Sequence, residues 1–176
     1  MVEVENPGTK EISSLMGNVT DGSYVIPYFQ RGFEWEPSMV SELFESILQN
    51  YYTGLLLFWD LDDENANAEH WDPVWGATAN DEPEKAILDG QQRLSSLYYA
   101  IHNPEQKFPN RESYYVFYVD LVEDDDVGRA LVVAKAFEEF VLWSGLSMDV
   151  EGAVEAFEKA IEELEPGGIL PAVDVL

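Results

Sequence analysis

The stretch Ala86–Ile101, AILDGQQRLSSLYYAI, decides the fold. Its opening continues KAILDG, an apolar run that reads as a strand. From Gln91 to about His102 the apolar residues Leu94, Leu97, Tyr98 and Ile101 repeat at helical spacing. At the corner between the two, Asp89 as N-cap with Gln92 three residues on makes the carboxylate version of a capping box, and Gly90 suits the turn. That account leaves out Arg93, because a cation in the first helical turn faces the positive end of the helix dipole. A bound phosphate would reverse the balance: Arg93 can fork onto two oxygens while backbone amides and Gln91 supply further donors. On these residues alone, a capped helix start and a phosphate site stand level.

Upstream, KEISSLM can form a short helix, and GSYVIP reads as a strand stopped by Pro27. YFQRGFEWEP follows as an ordered, aromatic-rich loop. Then comes the clearest helix, entered at Pro37, with Val40, Leu43, Phe44, Ile47, Leu48 and Tyr51 on one face and Gly54 ending it. The unbroken apolar run in LLLFWDL predicts a strand covered on both faces. Asp62 to Asp81 is acidic, Asn-rich and irregular, and is expected to be an exposed loop.

Downstream, SYYVFYVDL predicts another strand, and AKAFEEFVLWSG and AVEAFEKAIEELEPGG predict two helices. The final ILPAVDVL ends without a polar tail, which suggests a chain cut from a longer one. The order β, α, β, β, α, β, α, α describes a small α+β protein, divided here into residues 1–125 and a helical extension over 126–176.

Composition sets the wider bounds. The 176 residues carry 35 Asp and Glu against 9 Lys and Arg, a net charge of −26 spread along the whole length. Aromatic residues at 13% supply the buried area that a folded core needs. Such a surface repels itself in dilute buffer and is at ease in molar salt, so the acidity reads as halophilic adaptation; the competing reading is a nucleic-acid mimic or acidic partner-binding protein. Of the four arginines, Arg31 and Arg93 lie in the two motifs of interest, and an arginine kept in so acidic a chain has work that a carboxylate cannot do. The absence of cysteine excludes disulfides, thiolate metal sites and cysteine nucleophiles. Neither a secretory signal nor a membrane-length apolar run is present, so a cytoplasmic protein is expected. P-loop and dinucleotide fingerprints are absent as well.

The second motif is IPYFQRGFEW, Ile26–Trp35, where Gln30 and Arg31 follow a strand end among Tyr28, Phe29, Phe33 and Trp35. One reading is a surface Gln-Arg pair over core aromatics. The other is a second set of donors aimed at the cleft of Arg93, with an aromatic wall for a base.

Together, IPYFQRGFEW, a helix ending in ESILQNYYTG, and ILDGQQRLSSL resemble the DGQQR-motif domain of unknown function at the N-terminus of GmrSD-type restriction enzymes and related phage-defence proteins. The likeness covers roughly Ser23 to Ile101, with Phe29 where the family usually has Tyr. It implies a fold like that of ParB and sulfiredoxin, a small mixed sheet with flanking helices, and a pocket for an NTP (ATP, GTP or CTP) with Mg²⁺.

By that resemblance Gln30, Arg31, Gly90, Gln91 and Tyr28 would bind the nucleotide. Arg93 and Arg31 would stabilise charge, Asp89 would hold the metal or orient water, and Gln91 or Gln92 would position the reacting groups, making Asp89, Gln92 and Arg93 the catalytic set. The expected function is an NTP-binding and hydrolysing regulatory domain of a DNA-restriction protein, with DNA met through an associated nuclease. The alternatives are a DNA phosphodiesterase in the same cleft and a non-catalytic interaction module. Full-length relatives commonly carry an HNH nuclease, and nothing after Ile101 resembles one.

Overall fold

A computed structural model of the chain describes residues 8–62, 70–78, 80–102, 106–109, 111–120, 131–144, 151–155 and 159. Its first helix, α1 (Ile12–Thr20), buries Leu15, Met16 and Val19, one stripe at helical spacing. Strand β1 (Tyr24–Pro27) follows and is buried along its whole length. Helix α2 (Pro37–Leu48) starts with Pro37 in its first turn and turns Val40 and Leu43 inward. It ends earlier than the periodicity predicts, because Asn50 takes the left-handed conformation at φ 57° and closes the last turn. Leu48 and Tyr51, expected on the buried face, are exposed.

Strands β2 (Leu57–Asp60), β3 (Trp71–Pro73) and β4 (Lys85–Asp89) join β1 in a four-stranded sheet of order β2-β4-β1-β3. β1 and β4 are parallel, and the two outer strands are antiparallel to their neighbours. Two expectations change here. Only the second half of the run LLLFWDL is strand, Leu57–Asp60, and it lies at the edge of this sheet; Leu56, just before it, and Phe58 pack on the core while Leu55, Leu57 and Trp59 are exposed. The segment from 62 to 81 supplies β3, a fully buried Val74, and Trp75, whose ring stacks between Phe33 at 5.0 Å and Tyr99 at 4.9 Å. A proline-ended strand of three residues is too short to show as a period in the sequence.

Helix α3 (Gln91–His102) leaves the top of β4 and buries Leu94, Leu97, Tyr98 and Tyr99. One core cluster lies between the sheet, α1 and α3, built on Tyr24, Ile26, Ile87 and Leu94. A second gathers Phe33, Val40, Tyr99 and Phe108. Each fully buried large apolar side chain contributes on the order of 1.5–3 kcal/mol.

Beyond α3, β5 (Tyr115–Asp120) pairs antiparallel with β6 (Leu131–Ala136), and α4 (Phe137–Ser144) follows. The first three residues of the predicted helix AKAFEEFVLWSG, Ala134 to Ala136, are therefore strand, and the helix begins only at Phe137. The hairpin is tied to the rest by Val132 N–H donating to Glu45 Oε1 at 3.0 Å and Tyr115 N–H donating to the Tyr99 hydroxyl at 3.1 Å. Residues 151–155 are helical, while the rest of the second predicted helix (apart from residue 159), ILPAVDVL and the boundary expected near 125 lie outside the described residues. The architecture is α+β, a small mixed sheet with flanking helices, and is compatible with a ParB-like fold. Among the described residues no helix is long and apolar enough to cross a membrane.

Candidate functional site

The two motifs meet. Gln30, Arg31, Trp35, Leu88, Asp89, Gly90, Gln91, Gln92 and Arg93 line one pocket of about 410 Å³ at the corner between β4 and α3. That volume lies within the range of small-molecule sites.

Pro27 explains Gln30. The register that brings Lys85 N–H to the Ser23 carbonyl would set Pro27 to donate to the Ile87 carbonyl two residues further along, but proline has no N–H. Gln30 Nε2 donates to that carbonyl instead, at 2.7 Å, and reaches the Leu88 carbonyl at 3.3 Å. A buried acceptor is thus satisfied, and the loop after β1 is held over the end of β4.

The helix-start glutamines hold the same loop from the other side. Gln91, buried, donates to the Arg31 carbonyl at 2.7 Å. Gln92 uses both ends of its amide, donating to the Gly32 carbonyl and accepting from Glu34 N–H, each at 2.9 Å. The capping box read from the sequence is not formed. Helix α3 starts after Gly90, whose carbonyl accepts from Leu94 N–H and whose φ of 98° suits glycine, and Asp89 caps no backbone N–H. A Cβ on Gly90 would also run into Leu56 Cδ2.

Arg93 serves a second loop. Its Nη1 donates to the Thr53 carbonyl at 2.8 Å, and its Nη2 to the Leu55 carbonyl at 2.6 Å and to Asp89 Oδ2 at 3.3 Å. With its side chain 17% exposed, this guanidinium is a tie between the helix start and residues 53–55, not the open fork that the motif suggests. Arg31 is the open cation of the pocket, its side chain 68% exposed and paired with Glu34 at 2.8 Å.

Three kinds of group are left for a ligand. The backbone N–H groups of Gln91, Gln92 and Arg93 lie ahead of the helical ladder, since Leu94 is the first residue to reach back to a carbonyl. The guanidinium of Arg31 is accessible, and the Asp89 carboxylate is mostly exposed with one oxygen toward Arg93. Trp35 and Leu88 add apolar wall. Tyr28 does not line the pocket; its ring meets Phe29 and His70.

Among the described residues no three His, Asp or Glu side chains gather to hold a metal ion. Asp89 therefore fits Mg²⁺ only in the way nucleotide sites use it, as one carboxylate beside phosphate oxygens and water. Sequence reasoning missed Leu88, the Glu34 ion pair and the Thr53–Leu55 carbonyls. Gly54, which it took only as a helix stop, was the available signal for the last of these.

The family model described as the GmrSD restriction endonuclease N-terminal domain matches residues 12–161. An uncharacterized protein of Methanocaldococcus jannaschii is 33% identical over 156 residues, covering 81% of this chain and 26% of the relative. The chain thus spans about a quarter of the length of the curated relative it matches.

Proposed function

We propose, from the premise that the chain belongs to the GmrSD restriction endonuclease N-terminal domain family, that its pocket binds a nucleoside triphosphate and serves as the nucleotide-responsive part of a restriction or phage-defence protein. The observation that carries this reading is the pairing of an exposed Arg31 with a helix N-terminus on one pocket of about 410 Å³, in a chain of net charge −26. A net charge of −26 disfavours phosphates in general; at this pocket backbone N–H groups and one guanidinium are offered to an anion.

In this reading the triphosphate lies across the first turn of α3 with Arg31 on its terminal phosphate, and the base rests against Trp35. Asp89 would be the residue to hold Mg²⁺, which would supply charge neutralisation, or to orient the attacking water, so that the terminal phosphoryl group passes to water and leaves as phosphate. Gln30, Gln91, Gln92 and Arg93 act through the loops they hold, so they position rather than react. A cytoplasmic setting and DNA contact through an associated nuclease belong to the same proposal.

The test is thermal unfolding with Mg²⁺ and ATP, GTP, CTP or no nucleotide. Arg31→Ala is the informative variant, because its exposed ion pair adds little to stability. A nucleotide at 100 times its dissociation constant adds about 2.7 kcal/mol, a shift of several degrees that Arg31→Ala should remove. No shift with any nucleotide overturns the reading.

A further inference from the structure

The ion pair of Arg31 with Glu34, at 2.8 Å, joins two exposed side chains on a fixed backbone. The Arg31 carbonyl accepts from Gln91 Nε2 at 2.7 Å and the Gly32 carbonyl from Gln92 Nε2 at 2.9 Å, while Glu34 N–H donates to Gln92 Oε1 at 2.9 Å. The peptide groups around the pair are thus tied to the start of α3. A change of partner at Arg31 needs only side-chain rotation.

Other arginines are committed differently. Arg93 is shared among the Thr53 and Leu55 carbonyls and Asp89, and its side chain is largely covered. Arg111 pairs with Glu36, and neither of these lines the pocket. Arg31 does line it, and among the described residues Glu34 is its one carboxylate partner.

A phosphate that reaches Arg31 therefore meets a guanidinium already neutralised. It has to take Arg31 from Glu34, whose carboxylate then stands close by as a like charge. The exchange is within reach, because an exposed pair of this kind is worth only about fivefold or less in an equilibrium constant. The phosphates also gain the open N–H groups at the start of α3. Building on the nucleotide reading of this pocket, we propose that Glu34 is its built-in competitor: the carboxylate holds Arg31 until the terminal phosphate displaces it, and so sets how much ligand fills the site.

The test is calorimetric titration of the 176-residue chain in about 0.1 M KCl with ATP, GTP or CTP and Mg²⁺, and with inorganic tripolyphosphate, which carries three phosphates and no base. Glu34→Gln keeps the shape of the side chain and should tighten triphosphate binding about three- to tenfold. Glu42→Gln, the same change of charge at an exposed position on α2, should leave the affinity within about twofold of the wild type. In the Arg31→Ala background, with no guanidinium to release, Glu34→Gln should bring no gain. An unchanged affinity in Glu34→Gln, an equal gain from Glu42→Gln, or a gain that persists in Arg31→Ala overturns the proposal. The nucleotide reading fails separately. Nucleotides that bind wild type and Glu34→Gln equally leave that reading standing without the competitor, and a gain seen with tripolyphosphate alone leaves the competitor without the nucleotide. No binding of any triphosphate to either protein overturns both.

Discussion

The guanidinium of Arg93 occupies the space where a side chain on residue 54 would begin: a Cβ built on Gly54 would come within 2.5 Å of Arg93 Nη1. Gly54 also holds φ at 100°, a conformation costly for any other residue. The loop between α2 and β2 and the start of α3 are therefore one packed unit. Gly54→Ala should cost about 1–3 kcal/mol, from backbone strain and from displacing Arg93 off the Thr53 and Leu55 carbonyls. Arg93→Lys should also destabilise, since one ammonium cannot reproduce the planar fork that serves both carbonyls and Asp89. Urea unfolding of both variants measures this, and a neutral Gly54→Ala would show that the loop does not depend on the arginine.

Gln30 stands in for the N–H that Pro27 lacks. Gln30→Ala should leave the Ile87 carbonyl without its 2.7 Å donor and cost about 1–3 kcal/mol. If substitution for a missing donor is the reason, Pro27→Ala in the Gln30→Ala background restores a backbone N–H and recovers part of the loss. Equilibrium unfolding of the single and double variants decides between this and a purely local packing role, for which the second substitution would bring no recovery.

Tyr99 joins α3 to the hairpin by accepting from Tyr115 N–H, and burial pushes its phenol up to about 12 despite that hydrogen bond. In the unfolded chain a tyrosine ionises near 10. Between those values the unfolded state binds fewer protons than the folded one, so stability falls as pH rises from about 10 to 12. Tyr99→Phe should cost about 1–3 kcal/mol at neutral pH by leaving the Tyr115 N–H unpaired. It should also lose less stability than the wild type between pH 9 and 11, measured by urea unfolding at each pH; parallel losses would contradict the burial of this hydroxyl.

How far the fold was legible depended on how much of each signal was local. The β4–α3 corner was readable because a strand run and a helical period meet at DGQQR, and the pairing of that corner with Gln30 and Arg31 followed from the two motifs together. The run LLLFW deceived because alternation between Leu55, Leu57 and Trp59 outside and Leu56 and Phe58 inside is invisible when both sets are apolar. β6 was hidden by helix-forming Ala134, Lys135 and Ala136, whose strand state comes from pairing with Tyr115, Val116 and Phe117. The amides of Gln91 and Gln92 showed a second kind of limit. Donors that suit a ligand suit a backbone carbonyl equally well, and which they meet depends on a loop about sixty residues away.

The net charge of −26 gives the last prediction. Raising KCl from 0.1 to 1 M shortens the Debye length from about 10 to 3 Å, so repulsion among the scattered carboxylates is largely removed. The same salt weakens attractions such as Arg31 with Glu34 and Arg111 with Glu36, but these pairs are exposed and each contributes little. With 35 acidic side chains against 9 basic ones, relief of repulsion is the larger effect. The melting temperature should therefore climb through this range with KCl, a salt whose ions act mainly by screening. Replacing several exposed carboxylates, for instance Glu11, Glu42, Asp81 and Glu82, by their amides should raise the low-salt melting temperature and flatten the salt response together. A melting temperature that ignores KCl, or amide substitutions that leave the slope unchanged, would mean that the acidic surface is not under repulsive strain in the folded chain.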